Sequence, residues 1–178
     1  MSLIVPGSLT ETDIVAGDIS NWNTAYGWGN HAVAGYLDDY EEGTFTPSLT
    51  TSGTSPTVSY GASNKGVYVK IERLVYFNMV LDVSSRTGGS GQARVGGLPF
   101  TLEGTGTFSQ NYPVFPVTQW GGSITPTYTN LAGRGAASQS YLTFRSDDST
   151  GSTDELIGIF PSGSASGIRI TGSYITTT

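Results

Sequence analysis

From residue 44 to the C-terminus, short runs rich in Val, Ile, Tyr, Phe and Thr alternate with clusters of Gly, Ser, Asn and Pro. That rhythm leaves no room for a helix of ordinary length, whereas strands of about five or six residues fit between successive turn signals. Composition enforces the choice. The 178-residue chain holds 25 glycines, and its 46 serines and threonines are also poor helix formers. Charged residues make up only 12%, yet 37% hydrophobic and 11% aromatic residues supply the core that disordered chains lack. A mostly-β, turn-rich domain remains.

We read strands near 44–50, 56–60, 65–72, 74–83, 93–98, 113–120, 124–130, 139–146, 154–160 and 167–176. Alternation is clearest in Lys65–Ile71 and Val75–Val83, and a turn at Glu72-Arg73 pairs them as a hairpin. About ten short strands at regular spacing predict a β-sandwich or jelly-roll-like head over 41–178.

Residues 1–40 have a different texture. Thr10 and Asp13 approximate a capping box before a short turn that carries Ile14. A second start at Asp18 or Ser20 places Ile19, Trp22 and Tyr26 on one helical face, and Gly27 and Gly29 flank Trp28 and end it. Helices this short are below the ~12–15 residues at which an isolated helix becomes marginal in water. Their aromatic side chains therefore need another surface, and further copies of the same segment supply one. The expectation is a helical oligomerisation stem joined through Ile14, Ile19, Trp22, Tyr26 and Trp28.

The formal net charge is −6, which argues against nucleic acid as a partner. Residues 1–64 hold seven acids and no Lys or Arg, so the acidity belongs to the stem and the entry into the head. The absence of cysteine excludes disulfides, thiolate metal sites and a cysteine nucleophile. Zinc would have to rely on carboxylates and His31, and no metal or other cofactor is expected. No stretch approaches the ~20 apolar residues of a membrane span, so membrane insertion is not expected either. The first residues lack a charged, apolar leader, and no secretory signal is expected.

Candidate chemistry is sparse. His31 is the one imidazole and lies in the stem, and no G-x-S-x-G elbow exists. Asp38-Asp39-Tyr40-Glu41-Glu42 reads as a solvated hinge, with a cation site as the alternative. Asp147, Asp148, Asp154 and Glu155 lie in a polar segment, Asp147–Glu155, without the register of a calcium loop. A hairpin tip, a receptor contact and a cation site remain open readings for it. Tyr112, Trp120 and Tyr128 stand beside amides and hydroxyls, as rings in neutral-sugar sites do. We take Tyr112, Trp120, Tyr128, Asp147 and Asp148 as candidate receptor-binding residues.

The segment Asp18–Ala32, followed by Ala34-Gly35-Tyr36-Leu37, resembles the WNTAYGWGdHAxAGYL segment of bacteriophage tail fibres and tail spikes, with Asn30 where Asp is common. Tyr40–Leu49 is similar to the YEEGTWTPTL opening of C-terminal domains in phage structural proteins. Gly66–Ile71 and Leu74–Phe77 resemble their GxYxKIGxxV strand pair, with Glu72-Arg73 in place of the usual turn glycine. Gly96–Phe100 and Ile168–Ile175 fit the same pattern. The resemblance implies a homotrimeric distal piece of a tail fibre, synthesised in a bacterial host's cytoplasm and carried on the virion tail. Its implied partners are the remainder of the fibre and a host cell-surface polysaccharide or outer-membrane protein, bound without catalysis. Two alternatives stay open: a structural fibre or baseplate piece, and a polysaccharide depolymerase using opposed carboxylates drawn from Asp82, Glu103 and Asp154.

Overall fold

The computed structural model describes residues 39–104 and 113–177. The expected stem, including Ile14, Ile19, Trp22, Tyr26, Trp28 and His31, lies outside the described residues. Eleven strands follow in chain order: β1 (Tyr40–Phe45), β2 (Ser48–Thr51), β3 (Thr57–Tyr60), β4 (Lys65–Ile71), β5 (Leu74–Thr87), β6 (Ala93–Gly96), β7 (Val114–Gly122), β8 (Asn130–Gly135), β9 (Tyr141–Asp148), β10 (Gly151–Asp154) and β11 (Ser166–Ile175).

The strands form one antiparallel sheet in the order β1-β4-β5-β11-β7-β8-β9-β6-β2, with β3 added to β5 and β10 to β9. β1 and β2 stand at opposite ends of this path, yet only Thr46 and Pro47 separate them. Three residue steps reach about 10 Å, so the two ends must approach each other, and the sheet curls round its core. The mostly-β expectation holds, but the two separate sheets of a sandwich are replaced by two halves sharing β7. Its first residues, Val114–Pro116, pair with β8, while Val117 and Gln119–Gly122 pair with β11. The register skips Thr118, and such a bulge bends a strand from one half into the other.

β5 shows why the core forms where it does. Val75, Phe77, Met79, Leu81 and Val83 alternate into the interior, all at most 1% exposed. Phe77 meets Phe45, Phe115 and Tyr174 edge-on, at centroid distances of 6.5, 5.2 and 5.9 Å. Opposite Phe77 in register stands Gly172, where a Cβ would sit 2.4 Å from the Phe115 ring. The bare backbone there admits the ring.

The β4–β5 hairpin forms as expected, with Ile71 opposite Leu74. Glu72 takes a left-handed φ of 54° in its turn, a conformation that suits glycine. Glu72→Gly is therefore expected to stabilise the chain by about 0.5 kcal/mol, the relief of left-handed strain exceeding glycine's entropic cost. A urea-unfolding midpoint moved upward at constant slope would show it.

Three strand expectations are corrected. The run 44–50 is two strands, because Pro47 donates no ladder bond and the chain there crosses between sheet ends. Residues 124–129 precede β8 without forming a strand. Pro126 has no N–H, and the N–H groups of Thr127 and Tyr128 bond to the side chains of Glu155 and Ser146. Residues 155–160 contain a single 3₁₀ turn, Ile157–Ile159. There the guanidinium of Arg86 takes the carbonyls of Ile157 and Phe160, withdrawing them from any ladder.

The outer face of β1, β4 and β5 carries an apolar stripe bordered by Glu42, Thr44 and Asn78. Tyr40, Ile71 and Leu74 lie side by side in register, with Val69 and Tyr76 paired beside them and Val67 beyond. Val67 is 48% and Tyr76 53% exposed, and Tyr40, Ile71 and Leu74 are similarly open. No described residue covers this stripe. Among the described residues, no helix is long and apolar enough to cross a membrane.

Candidate functional site

The site lies on the outer face of the other half. Along β7, β8 and β9 the inward positions are Phe115, Leu131, Gly133, Phe144 and Ser146, all buried. Strand alternation then turns Val114, Ala132, Arg134, Arg145 and Asp147 outward. With Ser152 of β10, these residues line a groove of about 390 Å³. Ala132 stands opposite Arg145, and Arg134 opposite Thr143, so the two arginines form a diagonal cross-strand pair.

Arg145 is held by the β10 strand. Its Nη1 donates to Asp154 Oδ1 at 3.1 Å, and its Nη2 donates to Ser152 Oγ. Those bonds fix the plane of the guanidinium and use two of its five N–H donors. Arg94 of β6 also faces Thr143, from the other side of β9, and lies 4.3 Å above the Tyr141 ring. Three of the chain's six arginines thus occupy neighbouring outward positions on β6, β8 and β9.

Behind this face, Glu155 anchors the preceding segment. It is 2% exposed and accepts bonds from Thr127 N at 2.6 Å, from Thr127 Oγ1 at 3.1 Å and from Ser146 Oγ. A buried carboxylate with three donors fastens 124–129 to the inner side of β9. At the nearby hairpin tip, Asp148 Oδ1 accepts from Thr150 N at 2.7 Å, Thr150 Oγ1 at 2.6 Å and Gly151 N at 3.2 Å. The Thr150 hydroxyl first, then the backbone N–H groups, hold this carboxyl below its ordinary value of 3.8.

Of the candidate binding residues, the groove contains Asp147 alone. Asp148 is occupied in closing the hairpin, and the Tyr128 hydroxyl lies beside Gly151, under the same tip. Trp120 is paired with Ile168 near the far end of β7, six residues from Val114, or about 20 Å along the strand. Tyr112 lies outside the described residues. Val114, Ala132, Arg134, Arg145 and Ser152 escaped the sequence reading. The signal for them is the alternation of Asn130, Ala132 and Arg134 against Leu131, Gly133 and Gly135, masked by the two glycines on its inner face.

The acidic runs disperse. Asp39 pairs with Lys70, Glu41 accepts from Tyr68 Oη at 2.5 Å, and Glu42 accepts from Tyr40 Oη at 2.8 Å. Glu41 raises the Tyr68 pKa through that bond, and Glu42 does the same to Tyr40. Among the described residues, no group of three or more His, Cys, Asp or Glu is placed to hold a metal ion. Nor are Asp82, Glu103 and Asp154 brought together. Asp82 is opposite Gly167, whereas the Glu103 N–H bonds to Ile175, eight residues or about 26 Å along β11. Opposed glycosidase carboxylates stand about 5–9.5 Å apart. Asp154 is engaged by Arg145 on the other half. A second groove, of about 350 Å³, crosses β5, β11 and β7 over Gly121 and Gly167, with Asp82, Gln119 and Arg169 on its walls.

No family model and no curated protein sequence matches the chain. Among solved structures, it superposes on the crystal structure of the Dettilon tailspike protein with a TM-score of 0.58 and 18% identity. The fold is similar to that of part of this tailspike. The match covers 76% of this chain and 23% of the tailspike chain, so the likeness concerns one section of a longer protein. Within this tailspike-like fold, the arginine groove lies on the outer face of β7–β10, and the apolar stripe on that of β1, β4 and β5.

Proposed function

We propose that the chain is the distal, receptor-binding piece of a phage tail fibre or tail spike. It acts as a homotrimer on the virion tail, attaching to a glycan or outer-membrane receptor on the host surface without cleaving it. The tailspike-like fold carries this reading. The homotrimer is supported by the apolar stripe on β1, β4 and β5, because a soluble monomer rarely leaves so contiguous an apolar face in water. A second copy is the occupant that the stem aromatics and this stripe share. Receptor attachment is supported by the groove on β7–β10, which mixes fixed cationic donors, an acceptor carboxylate, a hydroxyl and aliphatic side chains. Three such grooves on one rigid head bind a repetitive polymer far more tightly than one, by effective concentration.

The experiment is to apply fluorescently labelled chain to a panel of bacterial strains, alongside an assay for new reducing ends in their surface polysaccharides. Saturable staining of strains that the virions infect, with no reducing ends released, is the expected result. Absence of staining on every infected strain would leave a structural fibre piece as the better account. Released reducing ends would make the protein a depolymerase.

A further inference from the structure

The sequence signs of a neutral-sugar site at Tyr112, Trp120 and Tyr128 suggest uncharged sugars as ligands, yet the groove on β7–β10 is built differently. Among the described residues, its lining contains two guanidiniums and no aromatic ring. A neutral sugar's hydroxyls can accept bonds from a guanidinium but bring no negative charge to balance it. A planar carboxylate meets an arginine fork with two parallel charge-assisted bonds. Arg145 keeps three further N–H donors in a guanidinium plane that Asp154 and Ser152 already hold.

The remaining lining limits which anion fits. Asp147 lies in the same groove, and Asp154 neutralises part of the Arg145 charge, so among the described residues Arg94, Arg134 and Arg145 stand against Asp147 and Asp154. Such a balance accepts one negative charge and opposes the second charge of a phosphate dianion. Asp147 is an acceptor for sugar hydroxyls. Val114, 66% exposed, and Ala132 offer an aliphatic floor for the C–H face of a pyranose. Arg134 and Arg145, as a diagonal pair, stand about 7–8 Å apart across the strands, a span that brackets one sugar ring.

We infer that the groove binds the carboxylate-bearing sugar of an acidic glycan, a hexuronate, with Arg134 and Arg145 holding the carboxylate and Asp147 a ring hydroxyl. The inference rests on the attachment reading and names the ligand class of that same site. Binding adds no covalent step.

The test is a titration of the full chain with D-glucuronate, D-glucose and inorganic phosphate, followed through the arginine Nε–Hε resonances. Glucuronate is expected to bind at least ten-fold more tightly than glucose or phosphate and to shift the Arg134 and Arg145 signals. Arg134→Gln and Arg145→Gln are each expected to weaken it at least ten-fold. Arg145→Lys, which keeps the charge and loses the fork, is expected to weaken it about three-fold while preserving the melting temperature. Glucose binding as well as glucuronate, phosphate binding as well as glucuronate, or variants that bind like the parent would each overturn the inference. Cell staining separates the two claims. Parent protein that stains infected strains but ignores glucuronate defeats the ligand assignment alone. Protein that binds glucuronate but stains no infected strain defeats the attachment reading and leaves the site.

Discussion

Replacing Glu155 with alanine is expected to lower the unfolding free energy by about 3 kcal/mol, while Glu155→Gln costs less than about 1 kcal/mol. The difference follows from the hydrogen bonds. Oε1 receives the Thr127 N–H and the Ser146 hydroxyl, and Oε2 receives the Thr127 hydroxyl. Alanine leaves those donors beside a cavity, and each buried donor left unpaired costs about 1–3 kcal/mol, with rotatable hydroxyls recovering part of the loss. Glutamine retains an oxygen for Thr127 N and Ser146 and offers its amide N–H to the Thr127 hydroxyl, which also accepts. Urea unfolding measures both variants. A second readout is local: in Glu155→Ala, amide exchange at Thr127 and Tyr128 is expected to accelerate, because Tyr128 N depends on the Ser146 hydroxyl that Glu155 holds. Equal stability of the alanine and glutamine variants would contradict this account of the segment.

The second large effect is expected on assembly. Val67 and Tyr76 face outward, so Val67→Glu with Tyr76→Glu leaves the core untouched and is expected to preserve the fold. In a trimer whose copies meet on the apolar stripe, the same change buries two unpaired carboxylates per chain at a cost of several kcal/mol. Trimer dissociation is then expected to strengthen by more than a hundred-fold, read by light scattering at micromolar concentration against a folded far-ultraviolet spectrum. A double variant that remains trimeric would remove this face from the interface.

Where side chains obey a simple alternation, the fold was legible beforehand. Lys65–Ile71 and Val75–Val83 declare their buried faces, and the turn at Glu72-Arg73 joins them as expected. Strands failed to be legible where one residue decides against local propensity. Pro47 divides what looks like one strand, Glu155 captures the backbone of 124–129, and Arg86 captures that of 157–160. Each capturing side chain is distant in sequence from the segment it controls, at separations of 28 for Glu155 to Thr127 and 71 for Arg86 to Ile157. The closing of β1 and β2 into a curl was equally hidden, since it depends on which strands take the two ends of the sheet.

The groove was harder still to read. Aromatics drew attention to Trp120 and Tyr128, but a bulge at Thr118 and the tie to Ser146 send them away from the face that carries Asp147. Arg134 and Arg145 become neighbours only through the β8–β9 register, and Arg134 comes from a strand whose inner face is disguised by Gly133 and Gly135. With only 12% charged residues, the composition gives little sign of a charged face. The three arginines on β6, β8 and β9 make that face the exception.

Competition for adsorption tests the central claim most directly. Virions that carry the chain are mixed with an infected strain in the presence of excess purified protein, and unadsorbed particles are counted. The attachment account predicts that the parent protein slows adsorption in a saturable way. It also predicts that the Val67→Glu, Tyr76→Glu protein, having lost its multivalency, does so at least ten-fold less effectively. Adsorption unchanged at saturating parent protein would contradict a receptor-binding role.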